Sequence, residues 1–211
     1  IFIILNDLDK HFSELSIDQL KKFNSLIELH KFWNSKVNLI SRKDIDNLYV
    51  NHILHSLSSA KIHEFINGTD VLDVGTGGGF PGIPLAILFP NVNFTLLDSI
   101  SKKIKVVEDI RKKLNISNVI TINDRVENHH LKYDFVISRA VSKMDKFYPL
   151  VKKNIKSKSK NSIPNGIISL KGGDLESELK HFNNFKVFEI SKFFSDHFFL
   201  TKKILYIPFP N

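Results

Sequence analysis

The chain has 211 residues, 42% of them hydrophobic, which is enough to bury one good core with a small appendage. It contains no cysteine, which excludes disulfides, thiolate metal ligands and a cysteine nucleophile and favours a reducing cytoplasm. No apolar run approaches the ~20 residues of a membrane span. The formal net charge of +8 favours an RNA or DNA partner, but a solvated lysine-rich surface explains it equally well.

Two amphipathic helices are predicted in the first third of the chain. Ser16 to Gln19 form a capping box, and apolar residues recur at helical spacing from there to about Ser35. The same period marks a second helix over residues 45–60. We therefore expect residues 1–66 to be a helical extension and residues 67–211 to be the cofactor-binding domain, packed together as one globular unit.

A glycine-rich turn follows the helices and is the strongest signal in the chain. A β-branched run ends at Val74, and an apolar helix begins near Ile83. Between them, Gly75, Gly77 and Gly79 lack Cβ atoms, so a ligand can lie against the backbone. The next predicted strand, 93–98, ends on Asp98, where the ribose of a nucleoside needs an acceptor.

Two classes of cofactor fit this turn. Residues 77–82 match G-x-G-x-x-G, with Asp98 about 20 residues on, as in dinucleotide-binding proteins. However, Asp73 ends the strand where a pyrophosphate would repel it, whereas a cationic ligand would be attracted. Asp-x-Gly-x-Gly-x-Gly with a second acid after the next strand resembles the S-adenosylmethionine (SAM) site of class I methyltransferases.

Strands and helices alternate after the turn, which predicts an α/β fold with a mostly parallel sheet. The predicted strands are 93–98, 118–122, 133–138 and 166–171, and the predicted helices are 101–114, one from about 142, and 175–182. Two β-rich runs, 185–190 and 198–207, predict an antiparallel pair at the end of the sheet. Residues 152–165 are basic and of low complexity, which predicts a mobile loop.

The chain lacks the residues that several enzyme classes require. We find no G-x-S-x-G, no G-x-x-x-x-G-K-[ST] and no H-E-x-x-H motif. His52 and His55 form an i,i+3 pair without a third spaced ligand, and His129 and His130 are adjacent. We interpret these histidines as surface or packing residues and expect no metal site.

The residues and motifs that the chain lacks narrow the choice of methyl acceptor for a SAM-dependent enzyme. The covalent route to pyrimidine C5 needs a thiolate, and amine methylation typically uses an Asn/Asp-Pro-Pro-Tyr-like turn where Ser138-Arg139-Ala140 stands here. Guanine N7 attacks through a lone pair and needs no general base, so positioning supplies most of the catalysis. Arg139, at the carboxyl end of a strand, orients substrate or cofactor, with a structural salt bridge as the alternative.

Several motifs together resemble the ribosomal RNA small subunit methyltransferase G family, also called glucose-inhibited division protein B. The likeness covers about residues 20–205. It is carried by Trp33-Asn34, His52-Ile53-Leu54-x-Ser56, Asp73-Val74-Gly75-Thr76-Gly77-x-Gly79-Phe80-Pro81-Gly82-Ile83-Pro84, Leu97-Asp98-Ser99, Arg125-Val126-Glu127, Ser138-Arg139-Ala140 and Leu170-Lys171-Gly172.

The resemblance implies a class I, Rossmann-like enzyme that uses SAM to methylate N7 of a guanine in the 530 loop of 16S ribosomal RNA, giving 7-methylguanosine. It implies a cytoplasmic protein, expected to be a monomer, whose partner is 16S RNA or the small ribosomal subunit. Arg139 and Lys171 would be catalytic, with Lys171 facing the RNA. The SAM site would comprise Gly75, Gly77, Gly79, Phe80, Asp98 on the ribose, Val126, Glu127 and Arg139.

Two departures from the family pattern accompany this interpretation. His55 stands where the family usually has Asp, and residues 152–165 carry an insertion.

Two alternative functions remain, an NAD(P)-dependent Rossmann oxidoreductase and a non-catalytic RNA-binding protein. Asp73 and the Ser138-Arg139-Ala140 turn argue against the first, and the intact glycine turn with Asp98 argues against the second.

Overall fold

The computed structural model of the protein describes residues 8–12, 14–41 and 44–209, and the strands among them form one seven-stranded sheet. The strands are β1 Asp70–Val74, β2 Asn93–Asp98, β3 Val119–Asn123, β4 Phe135–Arg139, β5 Gly166–Gly172, β6 Lys186–Glu189 and β7 Lys202–Pro208. Their order across the sheet is β3-β2-β1-β4-β5-β7-β6. This arrangement confirms the predicted α/β fold.

The sheet is parallel from β3 to β5 and antiparallel at its far end. β1 pairs with β2 on one side and with β4 on the other, and β7 pairs antiparallel with both β5 and β6. The strand order therefore reverses direction between β1 and β4. In open α/β sheets, ligands bind at the carboxyl ends of the strands beside such a switch point.

The longer α-helices of the described residues surround this sheet or precede it. They are α1 Ile17–Asn34, α2 Gly82–Leu88, α3 Ser101–Lys113, α4 Met144–Val151 and α5 Glu176–Leu179. The predicted capping box of α1 is confirmed: Ser16 Oγ accepts from the Gln19 backbone, and Gln19 Oε1 accepts from the Ser16 backbone. The prediction for α5 was too long, because only 176–179 of the expected 175–182 are helical.

The second predicted helix is broken into short turns. A 3₁₀ turn, Ile45–Asn47, precedes a π-helical turn, Tyr49–Leu54, which continues through His55–Leu57 into a 3₁₀ turn, Ser58–Lys61. Serine hydroxyls in this run bond to backbone carbonyls one turn earlier and compete with the regular helical ladder. π-helical turns are frequent at functional sites, and this one carries His52.

The helical extension and the sheet share one hydrophobic core. Phe23 of α1 and Ile53 of the π-helical turn are fully buried in the same cluster as Phe94 of β2 and Phe135 of β4. A second cluster, which includes Leu72 and Phe147, covers the opposite face of the sheet. No helix among the described residues is long and apolar enough to cross a membrane.

The segment 152–165 is anchored, so the prediction of a mobile loop was wrong. Asn154 is fully buried, and its side-chain amide donates to two backbone carbonyls of the preceding loop at 2.9 Å each. Lys156 pairs with the buried Asp134, and Asn165 donates to two carbonyls within the segment. The composition of the segment suggested mobility because it is rich in lysine. The lysine side chains are mostly exposed to solvent, whereas the asparagine side chains point inward and form hydrogen bonds with backbone groups.

We expect Asn154→Ala to lower the free energy of unfolding by about 1–3 kcal/mol, because one buried and one part-buried carbonyl lose their donor. Urea unfolding measures this change. Lys158→Ala is the matched control, since Lys158 is exposed in the same segment. Equal stability of the two variants would show that the segment is not anchored through Asn154.

Candidate functional site

A cavity of about 430 Å³ opens at the carboxyl ends of β1, β4 and β5. It brings together five of the predicted site residues: Gly75, Gly77, Phe80, Arg139 and Lys171. The remaining four, Gly79, Asp98, Val126 and Glu127, do not line it. The helical extension supplies part of the wall, including Asn51, His52 and His55.

The glycine turn forms one wall because its backbone takes conformations that side chains disfavour. Gly75 has φ +70° and Gly77 has φ +58°, both in the left-handed region. A Cβ added at Gly75 would lie 2.8 Å from Val141. A Cβ added at Gly77 would meet only the Gly75 carbonyl oxygen, 3.9 Å away, and would fill the space beside the turn. Gly77 therefore leaves room for a ligand, and Gly75 leaves room for Val141.

Gly79 has a packing role rather than a place on the cavity wall. Its φ is +92°, and an added Cβ would lie 2.7 Å from Ile83 of α2. The residue is buried, so the missing side chain lets α2 approach the turn closely. The sequence pattern does not separate this glycine from Gly77.

Asp73 holds the glycine turn and does not line the cavity, so the expectation that it would face a cationic ligand was wrong. Its side chain is fully buried. Oδ2 accepts from Thr76 Oγ1 at 2.6 Å and from the Gly82 backbone at 2.9 Å. Oδ1 has no partner among the described residues. Burial raises the pKa of Asp73 to about 7, against the opposing effect of these hydrogen bonds.

Asp98 is the last residue of β2 and contacts the same turn. Its Oδ2 accepts from the Gly77 backbone at 2.9 Å, and its Oδ1 accepts from the Ile100 backbone at 2.8 Å. The carboxylate is nearly buried. Its position matches the expectation of an acceptor beside the glycine turn, and each oxygen keeps a further lone pair for a hydroxyl donor.

Val126 and Glu127 lie in a 3₁₀ turn, Val126–Asn128, after β3. Val126 is buried and Glu127 is exposed. β3 adjoins β2, so this turn lies at the same edge of the sheet as Asp98, two strands away from β1. These two residues are thus separate from the cavity but on its β2 side.

Arg139 is held on three sides at the carboxyl end of β4. Its Nη1 donates to the Asn51 carbonyl at 3.1 Å, its Nη2 donates to His52 Nδ1 at 2.7 Å, and its guanidinium lies 5.1 Å from the centre of the Phe80 ring. Burial lowers the pKa of Arg139 to about 10, so it stays charged at neutral pH. None of the ion pairs among the described residues includes Arg139, which argues against the salt-bridge alternative.

His52 and His55 both pack against aromatic rings, as expected, and they also line the cavity, which the interpretation as surface or packing residues did not anticipate. Burial and the charge of Arg139 lower the pKa of His52 to about 3, so its Nδ1 accepts from Arg139. The only signal in the sequence was their place in the His52-Ile53-Leu54-x-Ser56 motif. The interpretation holds for His129, which packs against Tyr133. The described residues contain no cluster of three or more His, Asp or Glu that could hold a metal.

Lys171 lies at the edge of the cavity and is held there by two hydrogen bonds. Its ammonium donates to Glu178 Oε2 and to the Ser142 carbonyl, both at 2.7 Å. Glu178 also accepts from the Met144 backbone at the start of α4. Lys171 therefore fixes the loop that follows Arg139.

Asp73 should make stability depend on pH, because its pKa of about 7 in the folded state lies above its ordinary value of 3.8. A raised carboxyl pKa stabilises the fold at low pH, and this stabilisation is lost as pH rises through 7. We expect the melting temperature of Asp73→Asn, relative to that of wild type, to increase between pH 5 and pH 8, since the amide does not ionise. The exposed Asp145→Asn is the control and should track wild type. Parallel profiles for Asp73→Asn and wild type would contradict a raised pKa.

Comparisons with known proteins identify the family of the chain. The model of the rRNA small subunit methyltransferase G family matches residues 19–202. The chain is 52% identical to ribosomal RNA small subunit methyltransferase G of Christiangramia forsetii over 95% of each chain. It is 51% identical to the protein of the same name from Flavobacterium psychrophilum, over 97% of this chain and 98% of that one. A solved SAM-dependent methyltransferase from Aquifex aeolicus shares the fold, with 17% identity and a TM-score of 0.55 over 72% of this chain and 88% of that one. The chain therefore belongs to the rRNA small subunit methyltransferase G family.

Proposed function

We propose that this protein transfers a methyl group from SAM to N7 of a guanine in the 530 loop of 16S ribosomal RNA. Family membership gives the class of reaction and removes the oxidoreductase alternative. The observation that carries the proposal is that the glycine turn and Arg139 share one cavity at the switch point of the sheet. That juxtaposition favours an enzyme over a non-catalytic RNA-binding protein.

The residues on the β1 and β2 side fit SAM. The open space at Gly77 admits a ligand against the backbone, and Asp98 offers carboxylate oxygens for ribose hydroxyls. Gly75, Phe80, Val126 and Glu127 complete the proposed site around the turn and the end of β3, and Gly79 supports it by letting α2 approach the turn. When bound there, SAM supplies a methyl group activated on a sulfonium.

The residues on the β4 and β5 side fit a guanine that needs no general base. His52 and His55 are neutral but weak bases in this cavity, so neither is suited to take a proton. Attack by N7 requires no proton removal, and catalysis then rests on positioning. Arg139 supplies a fixed planar donor group with which a base edge or a carboxylate can be aligned.

Lys171 supports RNA binding through charge and through the loop that it holds. Its ammonium lies at the cavity edge and is paired with Glu178, so it acts on the position of Ser142 as well as on an approaching phosphate. We propose that the protein acts in the cytoplasm as a monomer. Its net charge of +8 suits 16S RNA or the small subunit as partner.

Mapping 7-methylguanosine in the small-subunit RNA of the host tests the proposed function. Deleting the gene should remove this modification at one guanine of the 530 loop, and adding back the wild-type gene should restore it. Purified protein with SAM should methylate small-subunit RNA from the deletion strain at the same position. Persistence of the modification after deletion, or methylation at another base, would refute the proposal.

Arg139→Lys should lower kcat for methyl transfer by about tenfold or more, since each ~1.4 kcal/mol of lost transition-state stabilisation is tenfold in rate. Lysine keeps the charge but cannot reach both the Asn51 carbonyl and His52. Initial rates at a temperature where the variant remains folded measure this effect. Arg111→Lys, at an arginine that pairs with Glu108 on α3, is the matched control and should keep wild-type rates. Equal rates for the two variants would assign Arg139 to structure.

A further inference from the structure

His55 lines the cavity and has a ring nitrogen that is closed off from solvent and has no hydrogen-bond partner among the described residues. His52 accepts from Arg139 through Nδ1, and both ring nitrogens of His30 lie within 2.9 Å of backbone carbonyls. His55 is only 6% exposed, yet its Nε2 has no hydrogen-bond partner among the described residues. A buried acceptor without a donor is unfavourable. A ligand that donates to this nitrogen would remove that penalty.

The surroundings of His55 keep its imidazole neutral. Burial, with the positive charges of Arg139 and Lys202, holds the pKa of His55 well below its ordinary value of 6.5. The Asn51 carbonyl lies one turn earlier and bonds to the ring, which favours the tautomer with its proton on Nδ1. Nε2 therefore carries a lone pair and acts as an acceptor.

His55 lies on the β7 side of the cavity, and the glycine turn lies on the β1 side. The imidazole meets the Phe198 ring edge-on, with centroids 5.4 Å apart, and Phe198 belongs to the 3₁₀ turn His197–Thr201 that leads into β7. β4 and β5 separate β1 from β7 in the sheet, a span of about 14 Å at the usual strand spacing. A purine with N7 toward the glycine turn would present its opposite edge toward His55.

We propose that His55 Nε2 accepts a hydrogen bond from the 2-amino group of the target guanine and thereby selects guanine. This inference rests on the proposed function and identifies a specificity-determining residue within the same site. Guanine carries donors on the edge opposite N7, whereas adenine has no 2-amino group and offers no donor there. A site that holds an unpaired acceptor discriminates strongly against a base that cannot donate to it. Nε2 is closed off from solvent, so the contact requires a neighbouring side chain to move aside, and the half-buried Phe198 ring against the imidazole is the candidate.

The experiment compares two RNA substrates that differ by one amino group. Small-subunit RNA is assembled by ligation with either guanine or inosine at the target position, since inosine lacks the 2-amino group but keeps N7. Methyl transfer is measured for wild type, His55→Ala and His55→Gln, and SAM affinity is measured by calorimetry. His63→Ala is the matched control, because His63 is equally buried but lies outside the cavity.

We expect His55→Ala to lower kcat/KM on the guanine RNA by about tenfold or more, the loss of one buried hydrogen bond. SAM affinity should stay within about twofold of wild type, a margin below 1 kcal/mol. His55→Gln should recover part of the activity, because its amide oxygen also accepts. Wild type should lose activity on the inosine RNA by a similar factor, and His55→Ala should lose nothing further on that RNA.

Two results would overturn the inference while leaving the proposed function intact. The first is wild-type kcat/KM for both His55 variants on the guanine RNA. The second is a loss in His55→Ala that is equally large on guanine and inosine RNA, which would indicate a structural effect without contact to the amino group. Absence of wild-type activity on the guanine RNA would instead refute the proposed function and the His55 inference together.

Discussion

The buried carboxylate of Asp73 is the constraint on which the rest of the site depends. It holds Thr76 at one end of the glycine turn and the Gly82 backbone at the other, so the turn closes over the end of β1. Asp98 pulls the middle of the turn toward β2 through Gly77. Two carboxylates thereby fix the course of a turn that is rich in glycine. Burial raises the pKa of Asp73 to about 7, and one of its oxygens has no partner among the described residues.

The helical extension completes the cavity and is part of the site. His30 of α1 places Nε2 2.7 Å from the Gly78 carbonyl, and its ring packs against Phe80. His52 packs against the other part of the same Phe80 ring and accepts from Arg139. Phe80 thus lies between two histidines and a guanidinium. Through these contacts the extension fixes both the glycine turn and the end of β4, so its position determines the shape of the cavity.

The fold and half of the site were predictable from the sequence because they depend on local patterns. Strand periodicity, the capping box at Ser16 and the glycine turn each reflect interactions between residues close in the chain. The anchored Asn154 was not predictable, since it donates to carbonyls that are distant in the chain. The π-helical turn was not predictable either, since the apolar spacing of residues 45–60 does not distinguish it from a regular helix. The role of Asp73 was missed for a related reason: spacing places an acid at the strand end but does not tell which way its carboxylate points.

The charges in the cavity suit binding of RNA more than stabilisation of its methylated base. The cavity is lined by one acidic residue, Asp44, and by four basic residues, Lys103, Arg139, Lys171 and Lys202, and the nearby histidines stay neutral. In the proposed reaction, guanine is neutral and the methylated base is a cation. Fixed positive charges attract the phosphates of the substrate strand but repel the methylated base. In the proposed reaction, the charges of this cavity would favour the approach of the RNA strand and disfavour the methylated base, while the rate of transfer would rest on the geometry that the glycine turn, Arg139 and His55 impose.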